Sequence, residues 1–357
     1  MLHQQENISP QKMRESSFEL LRLLSMLLVM AVHANFWSLG APTSEDMHTA
    51  FASSLSRVIV ESLSIICVNV FILISGWFGI KVTTNKLLSF LFQIFYFNLL
   101  MFFIWVVVFG NKVSIVDAFK YFFLLTERYW FIKVYLALFI ISPCLNLFIE
   151  KYDKRECQIF LLAIFIFQSI YGWIWPSVTW ISKGYSLFTM AFLYMLARYM
   201  KKYAPLLGWS FSCRIHLIIY LIVSFTIAGL YSLLTYYDFK GEALFAYSCP
   251  LVILSSIHFF LVFSKIHFTN KLVNYIAAST FAIYLFHGNP MTADVFYRTK
   301  ISNWFIEDPT LFFLGKTLTL ICMFFVGAIV LDLPRRWIWS KIEHHIIDCS
   351  MRIPSGS

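Results

Sequence analysis

Phe18-Glu19-Leu20-Leu21-Arg22-Leu23-Leu24-Ser25-Met26-Leu27-Leu28-Val29-Met30-Ala31-Val32-His33-Ala34-Asn35-Phe36-Trp37 is apolar enough, and long enough as a helix, to cross the ~30 Å hydrocarbon core of a bilayer. It nevertheless carries three ionisable side chains, Glu19, Arg22 and His33. Such groups cost at least about 2.5 kcal/mol near the membrane centre, so each reads first as functional. At about 100° per residue, the step from Arg22 to His33 is three turns plus roughly 20°, with a rise of about 16 Å, so both side chains share one helix face. Glu19 lies three residues before Arg22 on the same stripe, where pairing with the guanidinium eases its burial. Taken singly, the pair reads equally well as an ion pair snorkelling to the headgroups, and the histidine as a core residue bonded to a carbonyl. Their common face points instead to one cavity, charged at one end and bearing an imidazole deep inside.

The rest of the chain agrees with a membrane setting. Of its 357 residues 59% are hydrophobic and 13% charged, with 39 Phe, 18 Tyr and 11 Trp. A soluble fold is about 25% charged, so this chain lacks the polar side chains to cover itself in water. The same figures exclude a disordered chain, a disulfide-stapled secreted domain and a nucleic-acid binder. Seven scattered cysteines show no CxxC spacing and read as small core residues. The polar start, residues 1–17, precedes an apolar run with no small-residue cleavage site, which reads as a retained helix rather than a signal peptide.

Ten candidate spans follow: Phe18 to Trp37, Val58 to Ile80, Leu87 to Phe109, Trp130 to Phe148, Ile159 to Trp175, Tyr185 to Met200, Ile215 to Thr235, Leu244 to Phe263, Leu272 to Pro290 and Phe312 to Leu331. The sixth is short and the ninth interrupted by polar residues. The expectation is an all-α polytopic membrane protein, with a cytoplasmic segment over 1–17, a transmembrane domain over 18–331 and a cytoplasmic tail over 332–357. Of the 28 Lys and Arg, 17 fall on the side of the N-terminus, nine on the other and two inside spans, which places both termini in the cytoplasm. The net charge of +9 then needs no nucleic acid.

A second imidazole stands in the ninth span, in Ile283-Tyr284-Leu285-Phe286-His287. Counted from the inner boundary, His33 and His287 both lie at a depth of about 22 Å, as one site requires. Tyr284, three residues before His287, can share its face. The fourth span opens on Glu127-Arg128-Tyr129-Trp130-Phe131-Ile132-Lys133, where aromatic faces beside charged groups suit a sugar ring, with a membrane-belt anchor as the plain alternative. Asn69, Ser75, Gln93 and Asn98 read first as polar contacts between helices, with Ser75 and Asn98 kept as candidate substrate contacts. His258, mid-span, reads as packing. Glu343-His344-His345 lacks a third ligand, and no metal site is expected.

These residues resemble the acyltransferase 3 family of bacterial integral-membrane O-acyltransferases. The resemblance runs from about Phe18 to Trp339. It rests on the Arg22-to-His33 spacing, Phe71-Ile72-Leu73-Ile74-Ser75-Gly76-Trp77, Tyr129-Trp130-Phe131, Ser142-Pro143 and Ile283-Tyr284-Leu285-Phe286-His287, in that order. It implies transfer of an acyl group, usually acetyl, from cytoplasmic acyl-CoA to a sugar hydroxyl of a cell-envelope polysaccharide or lipid-linked glycan, in the inner membrane, with no permanently bound cofactor. His33 matches the presumed catalytic histidine and Arg22 its partner. Glu19, Arg22, His33 and His287 are thus the expected catalytic set, and Arg22 and Lys86 the expected donor contacts. Glu127, Arg128, Trp130, Lys133, Tyr284, Ser75 and Asn98 are the expected acceptor contacts. Many members open the third helix with Arg-x-x-Arg, whereas here Asn85-Lys86-Leu87-Leu88 leaves Lys86 as the sole cation. A transporter or flippase of lipid-linked sugars is the rival; it predicts internal repeats and paired helix breaks at Gly or Pro, neither evident here.

Overall fold

The computed structural model describes residues 15–126, 129–175, 179–203 and 211–351, and among them it contains helices and no strand. Eight helical stretches are long and apolar enough to cross a membrane: Ser16–Trp37, Phe51–Phe78, Thr84–Val108, Trp130–Lys151, Lys154–Ile174, Cys213–Tyr236, Glu242–Ser264 and Thr310–His344. They match eight of the ten expected spans. The other two differ as their sequences hinted. The sixth is α9 (Leu187–Tyr203), only 17 residues long, and the ninth is broken into α12 (Lys271–Ala277) and α13 (Thr280–His287).

The sequence dictates the helix boundaries through caps. Thr83, Asp153, Ser212 and Asn270 each accept from the backbone of the next turn, starting α5 (Thr84–Phe103), α8 (Lys154–Ser169), α10 (Cys213–Tyr236) and α12. Pro250 opens α11 (Pro250–Ser264), at a position whose N–H would have no partner anyway. The loop helix α2 (Ser44–Thr49) starts in a full capping box, where the Thr43 amide and hydroxyl hold the Asp46 carboxyl below its ordinary range. Pro143 interrupts α7 (Trp130–Lys151), and the Phe139 carbonyl it deprives of an amide instead accepts from Ser142 Oγ at 2.8 Å. That exchange gives the Ser142-Pro143 pair its physical sense.

The polarity of the helices is inverted relative to a soluble protein. On α5 the exposed positions include Leu91, Phe95, Leu99 and Phe103, at i, i+4, i+8 and i+12, while Gln93 and Asn98 are buried. In the centre, α1 (Ser16–Val32) packs against α3 (Phe51–Ser64), α4 (Cys67–Phe78), α11, α12 and α13, so the helix with three ionisable groups is surrounded by protein rather than lipid. Close approach of α4 and α9 depends on Gly76, where a Cβ would collide with the Tyr194 carbonyl.

Two features go beyond the sequence reading. Paired breaks exist without Gly or Pro, at Ile65-Ile66 between α3 and α4 and at Ala278-Ser279 between α12 and α13. The last span, expected to stop at Leu331, continues within α15 (Thr310–Met351) through Pro334. The charges that mimic a span end are sequestered: Arg335 Nε and a terminal nitrogen donate to the two oxygens of Asp332 at 2.8 and 2.9 Å. Ser279 Oγ and Gln93 Nε2 complete the carboxylate's shell at 2.8 and 3.3 Å, so the pair is buried, mutually neutralised and hydrogen-bonded.

Candidate active site

A cavity of about 780 Å³ runs along α1 between α4, α5, α7 and the α12/α13 break. Glu19, Arg22 and Lys86 line one end, Ser75, Gln93 and Tyr284 its walls, and His33, Trp37, Trp130, Tyr185 and Tyr247 the other end. The expected ion pair forms, with Arg22 donating to Glu19 Oε1 at 2.9 Å and Oε2 at 3.1 Å. On α5, Lys86, Ser89, Phe90 and Gln93 recur at i, i+3, i+4 and i+7, so one face of that helix forms a wall.

The two imidazoles meet. His33 Nδ1 lies 3.0 Å from His287 Nε2, and His287 Nδ1 lies 2.7 Å from the Ile283 carbonyl oxygen. A carbonyl only accepts, so Nδ1 of His287 carries its hydrogen, and with both rings neutral its Nε2 accepts. His33 Nδ1 must then donate, which leaves His33 Nε2 unprotonated on the ring that borders the cavity. His287 is fully buried behind His33 and is absent from the cavity wall.

Other contacts hold this arrangement. Tyr129 donates to the Leu285 carbonyl at 3.2 Å, and Asn289 Nδ2 donates to the hydroxyls of Tyr129 and Tyr121 at 3.0 and 2.8 Å. The start of α7 is thereby pinned to the end of α13. The Tyr297 hydroxyl donates to the Met30 carbonyl of α1 at 2.7 Å, and its ring lies against His287 with centroids 5.7 Å apart.

A family model described as an acyltransferase domain matches residues 15–337, which takes in every residue of the cavity. The chain belongs to the acyltransferase 3 family. Membership makes it a membrane acyltransferase with a multi-pass helical body. Comparisons with curated proteins and with solved structures found no match.

Within this acyltransferase, Glu19, Arg22, His33, Ser75, Lys86, Trp130 and Tyr284 border a single cavity, and His287 touches His33 from behind. Ser75 Oγ also donates to the Phe71 carbonyl at 2.9 Å, so it serves its own helix as well. Two expected acceptor contacts lie elsewhere. Lys133 is exposed and reaches back to the Thr126 carbonyl at 3.0 Å. Asn98 stands five residues after Gln93, about 140° round the helix from the cavity wall, and bonds to Tyr121 instead. Glu127 and Arg128 lie outside the described residues. His258 contacts His216, with Nδ1 atoms 3.0 Å apart and neither residue at the cavity.

Two site residues escaped the sequence reading. Tyr185 and Tyr247 come from connections after α8 and α10, and their rings stand 4.6 and 5.9 Å from Trp130 and 4.9 Å from each other. The Tyr247 amide donates to the Lys183 carbonyl at 3.0 Å, and Gly184, at φ +79°, packs so closely that a Cβ would stand 2.5 Å from Ser248 N. Tight loop packing therefore holds both tyrosines over Trp130. The one available signal was the aromatic and glycine content of Lys183-Gly184-Tyr185, which alone does not identify a partner.

Proposed function

We propose that this acyltransferase moves an acyl group, acetyl in the first instance, from acyl-CoA to a sugar hydroxyl, with donor and acceptor meeting at His33 from opposite ends of the cavity. The observation that supports the reading most is the hydrogen-bond chain from Ile283 through His287 to His33, which leaves an unprotonated Nε2 at the aromatic end of a cavity whose opposite end is cationic. Arg22 and Lys86 suit the phosphates of CoA. The Trp130, Tyr185 and Tyr247 rings suit the C–H faces of a sugar. In this reading the Arg22 end faces the cytoplasm, both termini lie inside, and the acceptor belongs to a cell-envelope or lipid-linked glycan of a bacterial inner membrane. No resident cofactor takes part.

Nε2 of His33 takes the proton of the sugar hydroxyl as that oxygen attacks the thioester carbonyl. The C–S bond breaks, the sugar ester forms, and the CoA thiolate receives the proton from the imidazolium. Positioned proton transfer of this kind contributes about 10²–10⁴-fold. His287 acts through His33: its Nε2 holds the neutral tautomer beforehand and accepts a stronger hydrogen bond while His33 is charged. The same nitrogen serves if the acyl group is carried as an acyl-imidazole, in which case donor alone releases CoA in a burst. The paired breaks beside the cavity are a feature of carriers too and keep glycan transport as the second reading.

The test is transfer of label from radiolabelled acetyl-CoA into envelope glycan by membranes holding the protein, wild type against His33→Ala at matched amount. Label with the wild type and none with the variant is expected. Equal label with both removes His33 from the mechanism. No label with either, together with movement of lipid-linked glycan that requires His33, favours transport.

A further inference from the structure

Just where it reaches the centre of the site, α1 changes character. After α-helical turns to Val32 the chain becomes a π-helix over His33–Trp37, a wider and less favourable winding that persists where its surroundings impose it. The surroundings are visible. Asn35, buried two residues beyond His33, donates through Nδ2 to the Arg57 carbonyl at 2.8 Å and to Glu61 Oε2 at 2.9 Å. Arg57 Nε returns a bond to Asn35 Oδ1 at 3.4 Å. The Phe36 amide also lies beside the Glu61 carboxyl, so two successive residues of the π turn approach one residue of α3. Ser38 Oγ donates to the His33 carbonyl at 2.5 Å and ties the far end of the turn.

Glu61 is only 2% exposed, inside a candidate span, and is not part of the cavity wall. A carboxyl in that place is costly and is retained when it has work to do. It does not border the cavity, whereas the π turn touches it directly.

We propose that Glu61 and Asn35 are positioning residues for His33, holding the π turn that aims its ring at His287. This rests on the reading of His33 as the reacting base. A ring displaced by about 1 Å loses roughly 10²-fold in rate without any change in donor affinity. Glu61→Gln keeps an oxygen that can accept from Asn35, whereas Glu61→Leu and Asn35→Ala do not.

The purified full-length protein, in detergent or nanodiscs, is compared as wild type, Glu61→Leu, Glu61→Gln and Asn35→Ala in two measurements. In acetyl transfer, Glu61→Leu and Asn35→Ala are expected to lower kcat about 10- to 100-fold with KM for acetyl-CoA unchanged, and Glu61→Gln to recover most of the loss. In ¹⁵N-histidine solid-state NMR, the resonances that vanish in His33→Ala are expected to report a hydrogen-bonded Nδ1–H in wild type and Glu61→Gln, and to lose it in Glu61→Leu. The second measurement needs no turnover, so it decides the positioning role even if the transfer reading fails. An unchanged His33 signature or unchanged kcat in Glu61→Leu overturns the proposal. So does a fall of Glu61→Gln as deep as that of Glu61→Leu.

Discussion

The protein holds two histidine pairs of nearly the same shape. His33 and His287 have ring centroids 5.1 Å apart at 45°, and His216 and His258 have centroids 5.1 Å apart at 46°; each pair has one N···N contact of 3.0 Å. They differ in the third partner. His287 Nδ1 is committed to the Ile283 carbonyl, which orders the hydrogens along the pair and leaves a basic nitrogen on the cavity wall. In the second pair Nδ1 faces Nδ1, His216 Nε2 is buried without a hydrogen-bond partner, and neither ring lines the cavity that His33 borders. A histidine contact therefore acquires chemistry from what polarises one end and what has access to the other, and the separation of the rings says little.

Substitution separates the pairs. His33→Ala is expected to lower acetyl transfer by about 10³-fold or more at unchanged protein level, measured as label incorporated per mole of protein. His287→Phe removes the acceptor for His33 Nδ1 and frees the wrong tautomer; a loss of about 10²-fold in kcat with donor KM unchanged is expected, and activity within twofold of wild type would reduce the first pair to the status of the second. At the cavity ends the effects are smaller and fall on binding. Lys86→Ala is expected to raise the KM for acetyl-CoA several-fold, less so at high salt, with kcat nearly intact. Trp130→Ala is expected to raise the acceptor KM about two- to tenfold, in line with roughly 0.5–1.5 kcal/mol for a lost aromatic contact. His258→Ala should change transfer by less than twofold; a larger loss in kcat would make the second pair a participant.

The His33–His287 pair was largely legible. Arg22 and His33 share a face because α1 is α-helical up to Val32, so the 100° rule holds over the interval where it was applied. His287 was placed by depth alone, a rise count that survives the break in its helix because both pieces run on toward the same side. His216, one residue inside the seventh span and beside Arg214, was not singled out. Glu61 did offer one: a carboxylate inside the second span obeys the same rule that singled out Glu19, and the rule was not carried that far. Asp332 and Arg335 were opaque for a physical reason. Hydropathy counts charges without knowing that an i, i+3 pair cancels itself, so a buried ion pair and a loop look alike until the neighbours are known. Lys133 and Asn98 were misplaced because polar atoms near a cavity by sequence can be spent on carbonyls of an adjacent turn or helix.

That buried pair also bears on how the protein is made. The helix carrying Asp332 and Arg335 is the last of the described helices in chain order, and the groups that complete the carboxylate's shell, Gln93 and Ser279, belong to segments synthesised before it. Self-neutralised, the Asp332–Arg335 turn adds no net charge to the apolar stretch before it, yet it is fully satisfied only after docking against α5 and the α12/α13 break. Docking of α15 is thus a closing step at the α12/α13 break that borders the cavity, and chains terminated before residue 332 would leave that flank unsealed.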